Sequence, residues 1–120
     1  MTVALLARDL MFGSRIAAAA ERAGVPFVQV ADPGDLPPPT TLRLLLVAWD
    51  ERRPGWGEAI AGWCTGAPES ARPRVIAFGP HTDLVAHADA RSTGLGPMWA
   101  RSRLLAELPA LFWRPLGAGR

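Results

Sequence analysis

Lysine, tyrosine and asparagine are absent from this 120-residue chain, and cysteine occurs once, at Cys64. One thiol allows neither an intramolecular disulfide nor a cysteine-ligated metal cluster, so Cys64 reads as a small buried hydrophobe. Without lysine, all 13 basic side chains are arginine, which cannot replace the compact ammonium that some sites require. A dominant charge is missing too. The formal net charge is +2, and the arginines are scattered rather than gathered into the basic stripe expected of a nucleic-acid surface. No apolar run approaches a membrane span. The opening MTVALLARDL turns charged too early for a signal peptide. These absences imply a cytoplasmic protein with neither membrane nor nucleic acid as partner.

What remains is 49% apolar and 20% charged, the balance of one globular domain with a sizeable core. Short apolar runs alternate with amphipathic segments. TVALLA (2–7), VPFVQV (25–30), LRLLLVAW (42–49) and RVIAF (74–78) read as strands, with a short fifth at 95–99. Helices are expected over 10–23, capped by Asp9 and ended by Gly24, and over 56–66 with Ile60 and Trp63 on one face. Another is expected over 83–93 with Leu84, Val85 and Ala88 inward. A last one, capped by Ser102, carries Leu104, Leu105, Leu108, Leu111 and Phe112 inward and should bend at Pro109. Near-continuous apolar strands between helices imply an α/β fold, a doubly wound five-stranded parallel sheet in three layers. ADPGDLPPPTT (31–41), with four prolines and a glycine, leaves the second helix shortened or missing.

Loops at the carboxyl ends of such strands line the ligand crevice. They carry Arg8 and Asp9, Asp50, Gly79 and His81, and Arg101 with Ser102. With its strand–helix alternation, D50-ERR-P54-G55 after the third strand and these loop residues, the chain resembles the receiver domain of bacterial response regulators over residues 2–113. The resemblance implies a flavodoxin-like, receiver-like domain over 1–114 and a flexible tail over 115–120. It also implies a pocket in which Asp50 holds the phosphoacceptor place. Counting along the apolar run instead puts Ala48 there, with Asp50 two residues into the loop. A receiver has an acidic pair where this chain has Arg8-Asp9, a hydroxyl residue where it has Gly79, and a lysine where it has Arg101. The pocket is therefore expected to be degenerate: Arg8 opposes a divalent cation, Gly79 lacks a hydroxyl, and Arg101 is free to pair with Asp9 or Asp50.

The implied function is a stand-alone pseudo-receiver, not an enzyme, acting in bacterial signalling through an unidentified protein partner or a second copy of the chain. No cofactor is expected. Magnesium, on Asp9 and Asp50, belongs to the alternative of a phospho-accepting receiver that uses Asp50. A second alternative is a small flavodoxin-like enzyme or nucleotide binder with His81 at the rim, although RDLMFGSR carries no glycine-rich phosphate loop. In receivers the face built by the last helices and the fifth strand mediates contacts, and the resemblance assigns Trp99, Leu105 and Trp113 to it. Trp56, in the third loop, and Trp113, at the end of the last helix, are the two of five tryptophans with the fewest expected buried sites.

Overall fold

The computed structural model describes residues 1–113, so the tail expected over 115–120 lies outside the described residues. Four parallel strands form one sheet: β1 (Thr2–Leu6), β2 (Phe27–Val30), β3 (Leu42–Ala48) and β4 (Arg74–Phe78), in the spatial order β2-β1-β3-β4. Helices α1 (Leu10–Arg22), α2 (Trp56–Thr65), α3 (Leu84–Ser92) and α4 (Arg101–Trp113) cover it. Strand alternation sorts the core into two layers. Val3, Leu5, Leu44, Leu46, Ile76 and Phe78 face α1 and α4. Ala4, Leu6, Leu45, Val47 and Ala77 face α2 and α3. Central strands covered on both faces have no polar side, which is why β1 and β3 read as unbroken apolar runs.

Local chemistry sets the element ends. The Asp9 carboxylate accepts the Phe12 N–H at 3.0 Å and caps α1, which buries Phe12, Ile16 and Ala20 at intervals of one turn. β2 is an edge strand, as Pro26 before it suggests. Between β2 and β3 the prolines allow only two 3-10 turns, Pro33–Asp35 and Pro39–Thr41, where a regular repeat would place a helix. Trp63 on α2 donates its indole N–H to the Pro37 carbonyl at 2.8 Å and fastens that segment.

Several expectations need correction. Leu84 and Val85 point outward, 77% and 67% exposed, and Ala88 is exposed; α3 turns Ala86 and Ala90 inward instead. Trp49 fills this layer and donates its indole N–H to the Ala86 carbonyl at 3.0 Å, so only a small-residue face fits against it. Trp56 is buried rather than presented, because it is the first residue of α2 and packs under that helix. Ser102 does not cap the last helix: α4 begins at Arg101, and the Leu104 N–H already bonds the Ala100 carbonyl. The helix continues through Pro109.

The fifth strand is reduced to one residue. Trp99 bridges Phe78 in parallel, its N–H donating to Ala77 at 2.8 Å and its carbonyl accepting from Gly79 at 2.9 Å. Pro97 explains why the pairing stops there. Two residues back along a parallel ladder, the next donor would be the N–H of residue 97, and proline has none. Gly96, at φ 78°, turns the chain out of extended geometry just before it.

Candidate functional site

The loops after β1, β3 and β4, and the residues that open α4, meet at the carboxyl end of the sheet. β3 ends at Ala48, and Trp49–Glu51 form a 3-10 turn, so Asp50 stands two residues beyond the strand. Its side chain is 24% exposed, and its Oδ2 accepts from Arg101 Nη2 at 2.9 Å. The Arg101 guanidinium also lies 5.2 Å from the centre of the Phe12 ring. Its Nε is buried without a hydrogen-bond partner. One fork thus meets a carboxylate and an aromatic face, with one donor left over.

The next residue of the same turn holds the opposite loop. Glu51 Oε1 accepts the Arg8 backbone N–H at 2.7 Å, and Arg8 Nε lies 3.8 Å from the same oxygen. Asp50 and Glu51 therefore tie the turn after β3 to two arginines, one on each side. Sequence reasoning named Arg8, Asp50 and Arg101 and missed Glu51. An acidic residue one step along the loop was the available signal.

Asp9 belongs to this end but serves α1, its Oδ1 being engaged by the Phe12 N–H. Gly79 sits against Asp50. A Cβ there would lie 3.0 Å from Met98 Sδ and 3.4 Å from Asp50 Cβ, tighter than a side chain ordinarily accepts without movement of the neighbour. His81 is exposed at the rim, and its carbonyl lies 3.1 Å from His87 Nε2. Among the described residues, no three His, Cys, Asp or Glu side chains converge in a way that could hold a metal ion.

Two features beside the cluster were not anticipated. Gln29, on edge strand β2, donates its Nε2 to the carbonyls of Ala7 and Asp9 at 2.9 and 3.2 Å, pinning the loop that carries Arg8. Gly13 makes room for that amide. On the other side, a groove of about 520 Å³ runs between the β3–α2 loop and α3, lined in part by Arg52, Arg53, Trp56 and Asp89. Arg52 spans it, donating to Asp89 at 2.6 Å and to the Trp49 carbonyl at 3.1 Å, with its guanidinium over the Trp49 ring.

The residues assigned to an interaction face separate. Trp99 is buried, 7% exposed; Leu105 packs partly buried on the core; Trp113 is 75% exposed. The bridge to Phe78 draws Trp99 inward, whereas Trp113 is the last residue of α4. No helix of the described residues is long and apolar enough to cross a membrane. No family model, curated protein or solved structure matches the chain.

Proposed function

We propose that this chain is a receiver-like domain of flavodoxin-like topology whose phosphoacceptor pocket has become structural, and that it works in bacterial regulation through protein contacts rather than by catalysis. The observation that carries the reading is the 2.9 Å ion pair between Asp50 and Arg101. A reactive aspartate must present an oxygen to an incoming phosphorus and share its charge with a cation that neutralises the phosphoryl group. Here the cation facing Asp50 is a guanidinium carried by the protein itself, which forms a salt bridge with one oxygen of the carboxylate and competes with any phosphoryl group for it.

The neighbours support the same reading. Arg8 stands where a second carboxylate would assist a metal, and it is turned toward Glu51. Asp9 caps α1. A magnesium ion fits this donor set poorly, since it asks for oxygen ligands and meets two arginines. A hydroxyl residue at Gly79 would have to displace Met98. The four-stranded order with its single Trp99 bridge suits a flavodoxin-like sheet in which Pro97 has shortened the fifth strand.

Incubating the protein with a small phosphodonor and magnesium, followed by intact-mass measurement, tests the reading. The expected mass is unchanged. A stable gain of one phosphoryl group that disappears in Asp50→Asn would overturn it in favour of a phospho-accepting receiver.

A further inference from the structure

Two arginine guanidiniums lie over the Trp99 ring. The guanidinium carbon of Arg103, in the first turn of α4, lies 3.8 Å from the centre of that ring, and that of Arg74, the first residue of β4, lies 5.6 Å away. The two forks are therefore within about 10 Å of each other, set by a buried indole that two backbone hydrogen bonds keep in place. Arg74 is exposed and has no carboxylate partner among the described residues. Arg103 is 53% exposed and uses Nε on Glu107 Oε2 at 2.9 Å, and its Nη donors enter no ion pair among the described residues.

We propose that this stacked pair is a docking surface for a carboxylate-rich segment of a partner protein. The inference rests on the reading that the chain acts by protein contact, and it names the chemistry of that partner. Guanidinium forks match carboxylates in pairs of parallel hydrogen bonds. Contact with the Trp99 ring restrains both side chains before any partner arrives, Arg103 at 3.8 Å more closely than Arg74 at 5.6 Å, so less conformational freedom is lost on binding. Tryptophan and arginine are also the residue types in which binding energy concentrates. Charge selects the partner. Both arginines are exposed, and among the described residues one carboxylate, Glu107, answers them from within the molecule. A nucleic acid would want a longer track of cations than two arginines on a chain of formal net charge +2.

The test uses the full chain labelled with ¹⁵N and titrated at low salt with an end-blocked hexaglutamate peptide. Saturable shifts are expected at the Trp99 indole N–H and at the Arg74 and Arg103 amides. High salt should remove them, since exposed pairs are screened. The double variant Arg74→Gln/Arg103→Gln should bind about tenfold more weakly, while Arg15→Gln, an exposed arginine on α1, should bind as the parent does. Retained dispersion in the amide spectrum verifies that the double variant is folded. The proposal is overturned by the absence of saturable shifts in the parent chain, by equal weakening in Arg15→Gln, or by tighter binding of an oligothymidylate of equal charge. It stands apart from the Asp50 reading: phosphoryl gain by mass would sink that reading alone, and a silent titration at unchanged mass would sink this one alone.

Discussion

Arg101 meets a carboxylate and an aromatic ring from one side chain and keeps a buried Nε without a hydrogen-bond partner. Its pair with Asp50 is partly open to water, so it adds little to stability, about 1 kcal/mol at most. Its consequence is chemical, because it determines what Asp50 can meet. A close contact on the other side of the loop cluster has the opposite balance. A Cβ on Gly13 would fall 2.0 Å from Gln29 Oε1, closer than any real contact. Alanine there would push out the amide that satisfies the Ala7 and Asp9 carbonyls. Gly13→Ala should therefore lose about 1–2 kcal/mol in urea unfolding, despite the better helix propensity of alanine. In a Gln29→Ala background the clash is gone, and the same change should instead stabilise by up to about 1 kcal/mol. Two effects of the same sign would mean that Gln29 does not occupy that space. The site residues were legible where they follow strands, because strand ends converge by topology. Gln29 was not, since a lone amide on an edge strand carries no pattern, and its partners are main-chain carbonyls 22 and 20 positions away.

At the scale of the element, α3 shows where hydrophobic pattern misleads. Leu84 and Val85 are its bulkiest aliphatics, and a 3.6-residue period built on them turns the helix the wrong way. Its span was legible to within one residue at each end, although Asp83, expected as its first residue, caps it instead by accepting the Ala86 N–H at 3.0 Å. Its rotation was not, because that depends on Trp49 reaching across from the end of β3. Ala90 is fully buried and Leu84 is 77% exposed. Ala90→Leu should consequently cost about 1–3 kcal/mol through overpacking, whereas Leu84→Ser should change stability by no more than about 0.5 kcal/mol. Denaturant midpoints of the two variants decide the matter, and a larger loss from Leu84→Ser would return the helix to the orientation its apolar pattern suggests. The fifth strand is the other element at which pattern and outcome diverge. Apolar residues over 95–99 were enough to suggest pairing, but pairing needs donors, and Pro97 withdraws one at the rung below Trp99.

Across the whole molecule, the alternation of apolar runs with amphipathic segments was sufficient to imply a parallel sheet covered on both faces, and the prolines of 31–41 to imply that one crossover lacks its helix. What alternation cannot specify is how the last helix is held against strands that precede it by half the chain. Arg43 supplies that link. It is the one half-buried position of β3 in an otherwise buried strand, and its Nη2 donates to the carbonyls of Leu111 and Phe112 at 2.8 and 2.7 Å. Those carbonyls belong to the last turn of α4 among the described residues. A cation at this end also complements the helix dipole. Arg43 thus joins the start of β3 to the close of α4 and completes the layer in which Leu104, Leu108 and Phe112 pack with α1. Arg43→Ala leaves two carbonyls without their charged donor and should lower stability by about 1–3 kcal/mol. The loss should be local before it is global, with hydrogen exchange accelerating first at the amides of the last turns of α4 while α2 and α3 on the opposite face keep their protection. Uniform acceleration across both layers would mean that Arg43 acts on the sheet itself rather than on the fastening of α4.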